Sequence, residues 1–244
     1  ELNSLNVEDC SLLTELLCYD NQLTELDVSQ NSALTVLGCN TNEFIHLDLS
    51  QNTNLLQFAC YNNHVLSSID VRNGNNENIL NFVSFQTPNC VCIYVDDPDA
   101  SYLSNWDVDP ESNFLETEAE CLELLTYIPD DNFEQALIDL GYDYYLDDYV
   151  VSTMISELTE LNLSFKDIED LTGIEDFLAL EILYCNNNQL SELDMSGNSN
   201  LLYLDCSSNS ISELNTSQNA NLTQLLCYNN NINDLNISQN LQLT

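Results

Sequence analysis

The spacing of leucine, cysteine and asparagine constrains this chain more than any other feature. From Leu13 a frame L-x-x-L-x-C-x-x-N-x-L-x-x-L-x-V-x-x-N is filled by Leu13, Leu16, Cys18, Asn21, Leu23, Leu26, Val28 and Asn31. It returns 21 residues later as Leu34, Leu37, Cys39, Asn42, Phe44, Leu47, Leu49 and Asn52. A third copy opens with Leu55, Phe58, Cys60 and Asn63, then slips by one residue to Leu66, Ile69 and Val71. Three more copies start at Leu180, Leu201 and Leu222, carrying Cys185, Cys206 and Cys227. A period held through six copies marks a stack in which no copy buries its apolar side chains alone.

Each copy is nested, since L-x-x-L-x-[LCV]-x-x-N occurs twice within it. In "LTELLC" and "LTELDV" the fourth and sixth residues point inward around an outward fifth, the period of a strand with one buried face. The Asn three positions later has a side-chain amide that can satisfy backbone groups at the turn, so stacked turns are expected to form an asparagine ladder. Each coil then adds one parallel strand, about 4.8 Å from the last. The cysteine sits at the inward sixth position, where a compact apolar side chain is wanted. A metal would need several sulfurs at one point, whereas these are spaced one per coil, so they read as reduced core residues.

With these motifs the chain resembles the leucine-rich-repeat superfamily, specifically the bacterial 21-residue class with two half-repeats and a sixth-position cysteine. The resemblance implies a solenoid of stacked parallel β-strands with few helices. It further implies two half-solenoids. The stretch from "CIYVDD" through "NW" to Cys121 is similar to the C-terminal cap of secreted bacterial members, and "IPDDNFEQAL" is similar to their N-terminal cap. Residues 1–121 are thus expected to end one solenoid, with the cap at about 79–121. Residues 122–244 begin another, with the cap at about 122–165 and a short helix over "NFEQALIDL" closing at Gly141. The family pattern pairs Cys92 with Cys121, and Cys90, which departs from that pattern, is the alternative partner. Such a bond would stabilise by roughly 3–4 kcal/mol on a chain-entropy argument, and it implies an oxidising, extracytoplasmic location. The chain is expected to be a window on a longer protein of tandem solenoids.

Charge narrows the partners. There are 41 acidic residues against Arg72 and Lys166, a net charge of −39. A chain with almost no cations cannot neutralise phosphates, which excludes nucleic acid and anionic membrane as natural partners. No apolar run is long enough for a membrane span, so no membrane insertion is expected. The two histidines, His46 and His64, are isolated, and no G-x-S-x-G, H-E-x-x-H or phosphate-loop motif occurs, so no catalytic residue and no enzyme activity are expected.

The period turns outward positions into columns. Asp27, Asp48 and Asp70 stack in the first block, and Glu192, Glu213 and Asp234 in the second. Like charges at strand spacing repel, and Ca2+ is the cation that carboxylate oxygens would attract, although no D-x-D-x-D-G loop is present. The competing reading is a solvated acidic face. The first half-repeats present a different surface: Leu17, Val36, Ile182, Tyr184, Tyr203 and Leu226, joined by Tyr19, Tyr61 and Tyr228 one step beyond the cysteine. Outward fifth positions also include Gly38, Ala59 and Asp205. An apolar and aromatic stripe on an anionic protein is the expected binding face. The four N-x-S/T sequons, at Asn162, Asn215, Asn221 and Asn236, follow from the repeat's own preferences and are assigned no glycan.

These features predict a non-catalytic binding and adhesion protein, extracellular or on the outer cell surface, whose partner is a protein or glycan there or a neighbouring copy of itself. The family resemblance adds export by the type IX route. The alternatives are a structural subunit of an extracellular filament or stalk, and an accessory binding module of a larger secreted enzyme.

Overall fold

One copy of the frame makes one coil, and the two asparagines in the frame explain why successive coils stay in register. The computed structural model describes residues 1–244. The Asn42 side-chain amide donates to the carbonyls of Cys18 and Cys39, one coil back and its own, while its oxygen accepts from the Leu23 amide. Asn209 repeats the pattern with Cys185, Cys206 and Leu190. The second asparagine of the frame builds a parallel ladder: Asn52 donates to Val28 and Asn31, and Asn219 to Met195 and Asn198. The turn requires the residue before the first ladder asparagine to take a positive φ. Asp20, Thr41, Asn62, Asn187, Ser208 and Asn229 all do, at +54° to +59°, and Asn and Asp tolerate that region best.

The chain divides into two units, Glu1–Glu123 and Leu124–Thr244. In the first, β1 (Glu15–Leu17), β2 (Val36–Gly38), β3 (His46–Asp48), β4 (Gln57–Ala59), β5 (Ser68–Asp70), β6 (Asn81–Ser84), β7 (Cys92–Tyr94), β8 (Asp107–Val108) and β9 (Asn113–Leu115) build two sheets. First half-repeats give β1-β2-β4-β6-β8 and second half-repeats give β3-β5-β7-β9, all paired parallel. Leu37, Phe58 and Phe82 follow one another in register, and each is at most 1% exposed.

The frame is lost over residues 79–121, yet the stack continues there. β6 and β8 extend one sheet, and β7 and β9 extend the other. Aromatic side chains replace the leucines: Phe82 stacks on Trp106 at 4.0 Å between centroids, and Phe114 meets the same indole edge-on. The expected cap is therefore further coils with a different filling. A short helix, α1 (Glu118–Leu122), closes it with a capping box between Thr117 and Glu120. α1 also carries Cys121, which is joined to Cys92 on β7, whereas Cys90 is a buried free thiol.

The second unit opens with an antiparallel pair, β10 (Leu125–Tyr127) and β11 (Tyr149–Val151), around α2 (Asp131–Leu140). Asp130 caps α2 by accepting from the Asn132 and Phe133 amides, and Gly141 ends it at φ +81°. After α3 (Ser152–Ile155) come β12 (Glu160–Asn162), β13 (Ile182–Tyr184), β14 (Tyr203–Asp205) and β15 (Gln224–Leu226), one parallel sheet. Between β12 and β13, Gly173 takes φ +97° and lies against the end of β10, where a Cβ would be 2.6 Å from the Tyr127 carbonyl oxygen, so only glycine fits.

The sixth-position cysteines line the interior one per coil. Cys39, Cys60, Cys185 and Cys206 have no solvent exposure, and all six are free thiols. Burial pushes the Cys60 and Cys206 thiols up to about 12 and Cys39 and Cys185 well above the usual range, which leaves them inert. Chain and core together make a leucine-rich-repeat solenoid in each unit.

Candidate binding face

The outward side chains of β13 and β14 are fixed by strand alternation and by register. Leu183 and Leu204 point into the core, which turns Ile182, Tyr184, Tyr203 and Asp205 outward. Ile182 lies beside Tyr203, Tyr184 beside Asp205, and Asp205 beside Leu226 on β15. The Tyr184 and Tyr203 rings are 5.1 Å apart between centroids and tilted by 46°, within the range of favourable aromatic pairs. Tyr228 stands one turn beyond β15 and is 60% exposed. Partial burial, then Asp205, raises the Tyr203 hydroxyl above its ordinary range, so it stays a neutral donor. Five of the nine predicted face residues thus share one surface on the second unit.

The four predicted in the first unit lie along the sheet that begins β1-β2-β4. Tyr61 stacks on Phe85 at 5.2 Å, and Val36 is half-buried. Leu17 and Tyr19 are exposed. Gly38, expected outward and open, is buried, because the Leu17 side chain lies over it with Cδ2 3.0 Å from where a Cβ would be.

The acidic columns have local work to do. Asp27, Asp48 and Asp194 each accept the backbone N–H two residues on, from Ser29, Ser50 and Ser196, closing the turn after the second half-repeat. Hydrogen bonds from Ser29 hold the Asp27 carboxyl below its usual range. Glu192, Glu213 and Asp234 line one open groove of about 1020 Å3 with serine and asparagine between them. Nowhere are three or more His, Cys, Asp or Glu side chains gathered closely enough to hold a metal ion. His46 is the one place where a base meets hydroxyls, with Nδ1 at 2.9 Å from Ser67 Oγ and 3.0 Å from Ser68 Oγ. The Ser67 hydroxyl also lies 3.0 Å from the Ile45 carbonyl, to which it can donate, and no carboxylate bonds the far side of the imidazole.

Two clusters lie outside the sequence reading. Arg72 holds Asp70 with two nitrogens, at 3.0 and 2.5 Å, reaches Glu118 at 2.6 Å, and has its guanidinium carbon 4.9 Å from the centre of the Tyr94 ring. Its position two residues after a column aspartate, in a chain with one arginine, was the available signal. Glu134 on α2 and Asp143 just after it are both buried, and each keeps one carboxylate oxygen without a hydrogen bond. Burial, then the neighbouring Glu134 and Asp147, pushes Asp143 up to about 7, and burial raises Glu134 in the same direction. Nothing in "FEQALIDLGYDYYLDD" distinguishes these two acids from the exposed ones around them.

No family model and no curated protein matches the chain. Solved structures do. One is a functional domain of InlJ from Listeria monocytogenes, described as including a cysteine ladder, with 24% identity over 100% of this chain and 55% of that one at a TM-score of 0.31. Internalin C2 of the same bacterium is 15% identical over 98% of this chain and 72% of its own, at 0.36. A leucine-rich-repeat protein of Leptospira interrogans is 19% identical over 98% and 61%, at 0.33. The chain spans about half the length of the InlJ domain. No helix is long and apolar enough to cross a membrane.

Proposed function

We propose that this chain is a non-catalytic binding and adhesion segment, working outside the cell or on its outer surface, that engages a protein or glycan through the outward face of β12 to β15. The observation that carries the reading is the tyrosine pair on that face. Tyr184 and Tyr203 form a partly exposed aromatic surface on a chain of net charge −39, and anchors of that type contribute most of the energy in protein interfaces. The Cys92–Cys121 bond supports an oxidising location. Support for a non-catalytic role comes from inert core thiols and from His46 lacking an orienting carboxylate. Whether the acidic columns take up Ca2+ is an independent proposal: calcium should raise the melting temperature above that in matched sodium chloride, and a chelator should reverse it.

The test is attachment of labelled chain to whole cells of candidate hosts. Tyr184→Asp with Tyr203→Asp should lower attachment at least tenfold while leaving the circular-dichroism melt in place. Undiminished attachment by that variant would overturn the assignment of the face.

A further inference from the structure

The first unit sets an arginine against a tyrosine and an aspartate of adjacent strands, and the second unit pairs the same two residue types with no arginine beside them. In the first, Asp70 and Tyr94 are register neighbours on adjacent strands, β5 and β7. Asp70 Oδ1 accepts the backbone N–H of the residue two positions on, which is Arg72. That guanidinium then lies over the Tyr94 ring and bonds both oxygens of Asp70. Guanidinium groups favour this setting because the planar cation meets an aromatic face and a carboxylate together.

In the second unit Tyr184 and Asp205 are also register neighbours on adjacent strands, in the reverse order, with the tyrosine on the earlier strand and the aspartate on the later one. Asp205 Oδ1 again accepts the backbone N–H two positions on, but that residue is Ser207, whose hydroxyl donates to the same oxygen at 2.6 Å. Tyr203 adds a second ring beside Tyr184. Asp205 Oδ2 accepts no hydrogen bond within the protein, and the chain cannot supply a cation, because its one lysine, Lys166, is paired with Asp139 at 2.7 Å.

We infer that the Tyr184–Asp205 pair, with Tyr203, receives an arginine side chain from a basic protein segment. This rests on the reading of that sheet as the binding face and names the chemistry it selects. Arginine is favoured over lysine because the site offers the two groups that Arg72 meets, an aromatic face and a carboxylate, and a compact ammonium uses them together less well. A polyanion attracts any polycation, so the test must separate the site from the overall charge.

A fluorescently labelled peptide of alternating arginine and serine is titrated into the full chain at 150 mM sodium chloride, beside lysine and citrulline counterparts. The arginine peptide should bind at least fivefold tighter than the lysine peptide, and the citrulline peptide should not bind. Tyr184→Ala and Asp205→Asn should each weaken arginine binding about tenfold, whereas Glu192→Gln with Glu213→Gln, which removes two charges elsewhere, should change it less than twofold. Ser207→Arg should close the site by supplying the missing guanidinium in cis. Should that variant unfold the unit, Asp205→Asn tests the same contact. Equal binding of the arginine and lysine peptides, loss with the distant pair and not with Tyr184→Ala, or no binding at all would each overturn the inference. If the peptide fails while the double tyrosine variant still loses attachment to cells, the face stands and only the arginine assignment falls.

Discussion

The first unit pairs both of its half-repeats into parallel sheets, while the second pairs only the first half-repeats and leaves the others as turns. The same frame underlies both, so the difference must lie in the variable positions. In the paired second half-repeats the residue leading each strand is not acidic: His46, Ser68, Cys92, Asn113. In the second unit, where these segments form no strand, the equivalent residues are Glu192, Glu213 and Asp234, one above the other; Glu25 of the first unit also leads no strand, although its frame neighbours are Ser4 and His46. A carboxylate facing the carboxylates above and below it at strand spacing opposes pairing. Further along, where Asp48 does face Asp70 in register, Arg72 sits on Asp70. In the second unit the missing pairing thus coincides with unrelieved like charge.

The ladder should not distinguish the units, and it gives the largest expected effect. Asn52→Ala and Asn219→Ala each leave two buried carbonyls without their amide, a loss of about 2–4 kcal/mol at roughly 1–2 per group. Hydrogen exchange of the full chain should show the loss in the unit that carries the change, and equal losses for the two variants. A large loss in one and none in the other would mean that the two stacks are held differently.

Asp143 should set the second unit apart by pH. Its folded value is about 7 against about 3.9 unfolded. The folded state therefore binds more protons between these values, and stability is lost as pH rises from 4 through 7. Asp143→Asn should remove that slope and stabilise the second unit at pH 8 by about 1–3 kcal/mol, the scale of an unpartnered buried polar group. Denaturation at pH 5 and pH 8 checks it, and a wild-type second unit that is no less stable at pH 8 would contradict it.

Arg72→Ala should cost the first unit about 1 kcal/mol, since the ion pairs are partly exposed and the ring contact adds a similar small amount. Millimolar free arginine should restore part of the lost melting temperature. The smallest effect is expected from Glu192→Gln, Glu213→Gln and Asp234→Asn together. A few tenths of a kcal/mol per column contact should appear as slowed amide exchange around Leu193 and Leu214, bringing the second unit closer to the first.

Much of this was legible in the sequence because period 21 repeats each environment. Leu37, Cys39 and Asn42 are read once and then predicted coil by coil, down to the ladder bonds and to a cysteine burial that holds in five of the six copies, Cys227 being partly exposed. The helix over "NFEQALIDL" was legible from the Gly141 that closes it. What escaped lies where one residue acts through a neighbour in space. The aromatic coils of 79–121 carry Phe82, Trp106 and Phe114 in place of the frame, so spacing gave no strand there. Gly38 looked exposed by position and is covered by Leu17 from the adjacent coil. The outward residues were legible as a list, but the neighbour relation between Tyr184 and Asp205 needed the register, and the comparison with Arg72 needed the other unit.

That relation is tested most directly by aromatic NMR of the full chain during titration with the arginine–serine peptide. The chain has 12 tyrosines, which serve as internal controls. The account predicts shifts concentrated on the Tyr184 and Tyr203 rings, with Tyr94 unmoved because Arg72 already covers it. Shifts spread evenly over exposed tyrosines such as Tyr19 and Tyr127, or none at Tyr184, would contradict it.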